Sequence, residues 1–139
     1  MATNERRDDL AWLLTRAGHA VTGELAAALA PLGLTPRDLA VLRAASADAR
    51  TQIELARATG LDKTTMVVAV DALEAAGLAE RRASPHDRRA RVIAVTAAGD
   101  AALARAEAVA SRLQERTLAA LPAAQRQPFL AALAQIASK

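Results

Sequence analysis

Residues 51–77 read TQIELARATGLDKTTMVVAVDALEAAG, and this stretch predicts two short helices joined at a glycine. Thr51 followed three residues later by Glu54 has the form of a capping box, which begins a helix that stops at Gly60. Asp62 is suited to cap the second helix, which the glycine at the end of the stretch terminates. Two capped helices around a glycine-containing turn predict a helix-turn-helix.

A short hairpin is predicted directly after these helices. Its strands are Leu78–Ala83 and Arg91–Val95, and Ser84–Asp87 has the composition of a turn. Within the second strand, Ile93 and Val95 should face inward because they alternate with more exposed positions. An isolated hairpin is only marginally stable in water, so this one should pack against the preceding helices.

Further helices lie on both sides of this unit. Long apolar-striped helices are predicted over residues 8–30 and Thr96–Ala120, and a last helix follows Pro122. A short helix capped by Thr35 should run to about Ala45, with a loop after it. The expected fold class is mainly α with a small β-hairpin. The terminal stripes have no partner inside the central unit, so pairing with a second chain in a two-fold homodimer is expected.

The composition narrows the classes of function. The chain has 139 residues, a formal net charge of +3 and no cysteine, which excludes disulfides, thiolate metal sites and a cysteine nucleophile. No catalytic residue, metal or cofactor is expected, because His19 and His86 are far apart and no phosphate-binding glycine loop or metal-ligand cluster appears. The N-terminus lacks an apolar signal core and no apolar run is long enough to span a bilayer, so a cytoplasmic protein is expected.

Positive charge is concentrated in the hairpin. Residues 81–91 hold five arginines and one acid, which on a near-neutral chain indicates a polyanionic partner. Aromatic residues make up only 1% of the chain, which favours duplex DNA over single strands or RNA. Arg88 and Arg89 should enter a minor groove, with Asp87 paired to Arg89 to shape the tip. Three more arginines flank the base of the hairpin within reach of phosphates: Arg81, Arg82 and Arg91. The alternative is an ordinary solvated charged turn.

The second helix of the helix-turn-helix has two distinct faces. The inward face is apolar and carries Met66, Ala69, Val70 and Leu73. The outward face carries Lys63, Thr64, Val67, Val68 and Asp71. In a major groove, the lysine would reach a phosphate or a guanine edge, Thr64 and Thr65 would donate to phosphates, and the valines would touch thymine methyl groups. An ordinary surface helix is the alternative.

Three segments carry a family resemblance: LTPRDLAVL, TQIELARATGLDKTTMVVAVDALEAAGLAERR and SPHDRRARVIAVTAAG. Together they resemble the MarR family of winged-helix transcription regulators, and the helix order outside them agrees. The Asp-x-Arg of the hairpin and the following Thr-x-x-Gly are the more specific features. The resemblance implies a homodimer that binds a pseudo-palindromic operator, usually as a repressor. It implies one winged helix-turn-helix DNA-binding domain per chain, residues 35–96, and a helical dimerisation region formed by residues 1–34 and 97–139.

The resemblance also implies site residues. By position, residues 62–76 correspond to the recognition helix and residues 78–95 to the wing. Arg89 corresponds to the wing arginine, with Asp87 orienting it, and Thr51 and Gln52 match positions that contact phosphates. The chain departs from the family pattern where many members carry arginine on the recognition helix, at Val67-Val68 and Ala72. Specificity would then depend on the wing, on methyl contacts and on Lys63, Thr64 and Thr65.

Many proteins resembling this one release DNA when a small phenolic or aromatic acid binds between the two domains. Trp12, Arg16 and His19 recur at helical spacing on the first helix, and a ring, a fixed cation and an imidazole suit an aromatic carboxylate. The alternative is that Trp12 packs in the core, Arg16 covers apolar surface or pairs with an acid, and His19 is incidental. A second function also stays open: a winged-helix dimer that binds protein and has little DNA affinity, favoured by the outward valines.

Overall fold

The computed structural model describes residues 9–139 and is mainly helical with one two-stranded antiparallel sheet, which confirms the predicted fold class. Residues 1–8 of the predicted dimerisation region, the last of which is the first residue of the predicted first helix, lie outside the described residues. The elements follow in the order α1 (Leu10–Leu29), a 3-10 turn (Ala30–Leu32), α2 (Pro36–Ala47), α3 (Gln52–Thr59), α4 (Lys63–Ala75), β1 (Ala79–Ala83), β2 (Arg91–Val95), α5 (Ala97–Leu118) and α6 (Ala123–Ala137).

The helix-turn-helix forms because side chains cap both of its helices. The Thr51 hydroxyl accepts from the main-chain nitrogen of Glu54, and the Asp62 carboxylate accepts from that of Thr65 at 2.7 Å. Gly60, with φ of 72°, ends α3 in the left-handed conformation that favours glycine. The reciprocal capping box forms at Thr35 and Asp38 of α2. At the start of α3 it is incomplete, because the Glu54 carboxylate accepts only from the hydroxyl of Thr51.

Two buried clusters organise the chain. The inward face predicted for α4 is buried, and it packs with α2, α3 and the sheet through Val41, Leu42, Leu55, Met66, Ala69, Val70, Leu73 and Ile93. A second cluster joins α1, α2 and α5 through Leu29, Leu34, Leu39, Ala102 and Ala106. Leu78 and Leu103 pack against both clusters, so the helix-turn-helix is continuous with the long helices.

The hairpin, which we call the wing (residues 79–95), is also hydrogen-bonded to the chain that precedes α3. Its strands pair in register from Ala79 with Val95 to Ala83 with Arg91. The main-chain nitrogen of Ile93 also donates to the carbonyl of Arg50 at 2.8 Å, so Arg50 forms a bridge along the edge of β2. The loop predicted after Ala45 is therefore shorter than expected, because α2 continues to Ala47 and the chain then extends to pair with the wing.

The junction between the wing and α5 explains the Thr-x-x-Gly motif. The Thr96 hydroxyl donates to the carbonyl of Gly77 at 2.6 Å and accepts from the main-chain nitrogen of Gly99 at 3.0 Å. The main-chain nitrogen of Thr96 donates to the carbonyl of Leu78 at 3.1 Å. A β-carbon on Gly99 would lie 1.9 Å from that same Leu78 oxygen. The glycine therefore lets α5 begin directly against the end of α4.

The outer helices leave apolar side chains uncovered in one chain. Six of the large exposed hydrophobic residues lie on α1 and α6: Leu10, Leu13, Leu14, Val21, Phe129 and Ile136. No residue of α6 is buried. Over residues 9–139, no single helix has the length and apolar composition to cross a membrane, although α1 and α2 together, bent by 78°, pass on those criteria alone.

Candidate nucleic-acid interface

The helix-turn-helix and the wing together form one concave, basic face. The starts of α3 and α4 and the base of the wing enclose a cleft of about 410 Å³, lined by Thr51, Gln52, Ile53, Lys63, Arg81, Ala90, Arg91 and Ile93. The structure thus places the predicted phosphate-contacting residues beside the start of the predicted recognition helix and the wing.

The outward face of α4 has the predicted composition, with one correction. Lys63, Thr64 and Val68 are exposed, the last at 52%, and Val67 is half-buried. Thr65, however, does not offer a free hydroxyl, because this group donates to the Asp62 carboxylate at 2.8 Å. The hydroxyl therefore has a capping role in the free protein, and a contact from Thr65 to a phosphate stays a prediction.

The cap of α4 is stable across the neutral range of pH. Hydrogen bonds from the main chain and the hydroxyl of Thr65 lower the pKa of Asp62 below its ordinary value. A lowered carboxylate pKa stabilises the folded state above the pKa of the unfolded chain, and this contribution disappears as the pH falls through the lowered value. The first turn of the recognition helix should therefore loosen only in acid.

The wing tip is ordered by main-chain hydrogen bonds. The Asp87 carboxylate accepts from the main-chain nitrogen of Arg89 at 2.9 Å, and the main-chain nitrogen of Ala90 donates to the Asp87 carbonyl at 3.1 Å. The predicted ion pair between Asp87 and the Arg89 guanidinium is absent among the described residues. An aspartate side chain readily closes such a turn on the backbone two residues ahead, and this bond takes the place of the pair.

The arginines of the wing have different roles. Arg88, Arg89 and Arg91 are exposed and make no ion pair within the part of the chain that the structure describes. Arg82 forms an ion pair with Glu80. Arg81 contacts two acids, donating to Asp71 at 2.6 Å and to Glu74 at 2.8 Å, so its predicted availability to phosphates is wrong.

The inward position of Arg81 was missed at the level of sequence, although one signal was present. Arg81 pairs with the buried Ile93 across the sheet, and it lies two residues after the buried Ala79. Residues two apart on a strand share a face, so the alternation from Ala79 places Arg81 on the inner side. Its guanidinium also donates to the side-chain oxygen of Gln52, from Nε at 3.2 Å and from Nη2 at 2.9 Å.

The predicted ligand residues lie on one side of α1. Arg16 is positioned 5.1 Å above the centre of the Trp12 ring, a cation–π contact, and both Arg16 and His19 are exposed. An apolar cavity of about 270 Å³ lies elsewhere, between α1, α5 and α6. Val21 of α1 lines this cavity and follows Trp12 by two and a half helical turns, so the predicted trio faces away from it.

One positively charged side chain lines this cavity, and it comes from α2. Arg43 of α2 is among the lining residues, with Leu113, Phe129 and Leu133. Its guanidinium forms a two-bond pair with Glu107 of α5, one bond being Nη2 to Oε2 at 2.9 Å. The hydrogen bonding raises the pKa of Arg43 and lowers that of Glu107, so the pair is fully charged at neutral pH. This pair links α2 to α5 beside the cavity.

The chain matches regulators of known structure along most of its length. A sequence model of the MarR family matches residues 32–90. The HTH-type transcriptional repressor Rv2887 of Mycobacterium tuberculosis is 37% identical over 130 residues, which cover 93% of this chain and 94% of the repressor. The structure of Rv2887 in complex with salicylic acid has a TM-score of 0.78 and 37% identity, covering 93% of this chain and 98% of that one.

A second repressor of known structure is similar to this chain over nearly all of its length. The transcriptional repressor CouR bound to a 23-mer DNA duplex has a TM-score of 0.88 at 36% identity, covering 96% of each chain. CouR from Rhodococcus jostii RHA1 bound to p-coumaroyl-CoA has a TM-score of 0.85 at 34% identity, covering 96% of this chain and 95% of that one. The similarity therefore extends through the helix-turn-helix, the wing and the terminal helices.

Proposed function

Because this chain belongs to the MarR family, we propose that it is a transcriptional repressor that binds a pseudo-palindromic operator in duplex DNA as a homodimer. The single observation that carries the proposal is the joint exposure of Arg88 and Arg89 at the tip of a wing whose base lies beside the start of α4. A helix for the major groove and two cations for the adjacent minor groove are what a winged helix needs. The DNA complexes of CouR and Rv2887, which have the same fold, support it. We place its action in the cytoplasm, where a bacterial-type regulator reaches its operator.

We propose that residues 1–34 and 97–139 form the dimerisation region and residues 35–96 the DNA-binding domain. The exposed apolar side chains of α1 and α6 support this division, since a second chain would cover them. A two-fold dimer presents two recognition helices to two half-sites. This symmetry accounts for an operator that reads nearly the same on both strands.

Base recognition by this chain should rely on few hydrogen bonds. Lys63 and Thr64 are the polar groups that the first turn of α4 offers, and Val67 and Val68 offer methyl contacts to thymine. The recognition helix lacks arginine. We propose that a larger share of the specificity comes from the wing and from the shape of the minor groove.

The direct test is selection of genomic DNA fragments by the purified protein, followed by titration of the selected duplex. We expect an inverted-repeat site occupied by two chains, with affinity that falls steeply as salt rises, because phosphate contacts release counterions. Light scattering should give the mass of two chains without DNA. Random recovery of fragments, or a monomeric mass at micromolar concentration, would contradict the proposal.

A second candidate function is a dimer that binds a protein partner and has little DNA affinity. The observation in its favour is the exposure of apolar side chains on the same face, Ile53 at 55% and Val68 at 52%. Isolated exposed apolar residues are common on protein surfaces, so this observation weighs less than the exposed arginines. Selection without any preferred fragment would favour this candidate.

We propose further that an aromatic carboxylate releases the DNA, and that it binds at the cavity beside Arg43. The complex of Rv2887 with salicylic acid supports the carboxylate class, and the complex of CouR with p-coumaroyl-CoA, a thioester, supports only the phenolic ring. The cavity supplies apolar walls for a ring, and Arg43 supplies a fork of donors for the carboxylate. The ligand would compete with Glu107 for this fork and so weaken the link between α2 and α5.

Salicylate titration of the protein–operator complex separates the two candidate sites. We expect Arg43→Ala to lose most of the salicylate response, because the carboxylate loses its partner, while Arg16→Ala responds like the wild type. Glu107→Gln should respond at several-fold lower salicylate concentration, since the competing carboxylate is gone. Loss of the response in Arg16→Ala with retention in Arg43→Ala would place the ligand at Trp12, Arg16 and His19 instead.

A further inference from the structure

Arg81 connects three elements of the DNA-binding face. Its main chain belongs to β1, and its guanidinium donates to Gln52 at the start of α3 and to Asp71 and Glu74 of α4. Its main-chain nitrogen also donates to Glu74, at 3.1 Å. The Arg81 side chain is only 28% exposed, whereas those of Asp71 and Glu74 are 60% and 43% exposed, so partners that reach the surface largely cover the guanidinium.

This network determines which way the amide of Gln52 points. An arginine has donors only, so the Gln52 atom that meets both Nε and Nη2 must be the amide oxygen, as the structure has it. Among residues 9–139 the amide nitrogen of Gln52 donates to no protein group, and every buried side-chain nitrogen or oxygen there has a partner. The nitrogen of Gln52 is therefore accessible to solvent, and it presents two hydrogens and no acceptor.

The surroundings suit a phosphate at this nitrogen. Gln52 is the first residue of α3, where the free main-chain nitrogens and the helix dipole favour an anion. It lines the cleft together with the exposed cations Lys63 and Arg91. Of the acids around the site, Asp71 and Glu74 are paired with Arg81, and Glu54 accepts from the Thr51 hydroxyl, so they repel an approaching phosphate less than free carboxylates would.

We propose that Arg81 is a positioning residue: it holds the oxygen of Gln52 so that the amide nitrogen donates to one phosphate of the operator. Arg81 itself does not contact DNA. The inference rests on the proposed DNA-binding function, and it assigns to a wing arginine a role that its charge alone would not suggest.

The test replaces single operator phosphates with uncharged methylphosphonates and measures the affinity of each duplex. In the wild type, neutralising one particular phosphate per half-site should lower the affinity about tenfold, as expected for one hydrogen bond to a charged group. In Gln52→Ala, neutralising the same phosphate should have no effect. The effect should also be lost in Arg81→Lys, which keeps the charge but cannot make the same fork. The matched control is Arg105→Lys, an exposed arginine of α5 that does not line the cleft, which should keep the full effect.

A second variant tests the inference without altering Arg81. In Gln52→Glu the arginine still holds an oxygen acceptor at this position, but the amide donor is replaced by a charged oxygen. Neutralising the same phosphate should therefore raise the affinity of this variant by several-fold. Full phosphate sensitivity in Arg81→Lys, or no response to neutralisation in Gln52→Glu, would overturn the inference while leaving DNA binding established. Absence of DNA binding by the wild type would overturn the proposed function itself.

Discussion

Replacing Arg89 by alanine is expected to weaken operator binding by at least about tenfold, because a minor-groove arginine meets concentrated negative potential in a narrow groove. Arg89 is exposed and free of ion pairs among the described residues, so no internal partner must be broken for it to reach DNA. The variant should also lose preference at the flanks of the operator, where the wing lies. Titration of operator duplexes with altered flanks measures both effects.

The neighbouring aspartate provides the control for this experiment. The Asp87 carboxylate orders the tip by accepting from the main chain of Arg89, so Asp87→Asn should keep the tip and bind DNA at least as tightly as the wild type. Asp87→Ala should lose the turn and bind less tightly, because Arg89 is then no longer held in place. Operator affinity unchanged in Arg89→Ala would show that the wing does not enter the groove.

The elements of the central unit could be predicted because local chemistry determines them. The capping residues Thr35 and Asp62 begin their helices as expected, and the spacing from Met66 to Leu73 identifies the buried face of α4. The strands were placed to within one residue. Caps, glycine stops and periodicity act over a few residues, and a single sequence displays them directly.

The features that the sequence did not reveal depend on distant residues. Arg81 and its partner Gln52 are 29 positions apart in the sequence, and Arg43 and its partner Glu107 are 64 apart, so neither contact follows from local spacing. The cavity beside Arg43 forms only where α1, α5 and α6 pack together. The grouping of Trp12, Arg16 and His19, in contrast, follows from the periodicity of one helix. A shared helix face groups side chains without telling whether that face packs against another element, so the sequence did not show that Trp12, Arg16 and His19 face away from this cavity.

Replacing Gly99 by alanine is expected to lower the unfolding temperature by about 5–10 °C, since overpacking costs about 1–3 kcal/mol and occasionally more. Gly99 lies in the first turn of α5, where alanine would ordinarily stabilise a helix. Here the added β-carbon would lie 1.9 Å from the main-chain oxygen of Leu78 and 2.6 Å from a methyl group of Val95. The oxygen already accepts from Thr96 and cannot withdraw without breaking this bond.

Gly23→Ala is the matched control for this prediction. Gly23 lies inside α1, and no heavy atom lies within 4 Å of the position that its β-carbon would take. The same change of residue should therefore raise stability there, by about 0.5–1 kcal/mol. Thermal unfolding followed by circular dichroism compares the two variants under one condition.

Equal midpoints for the two variants would mean that α5 can move away from Leu78 at little cost. The junction at Thr96 would then be a flexible joint between the wing and the terminal helices and not a rigid one.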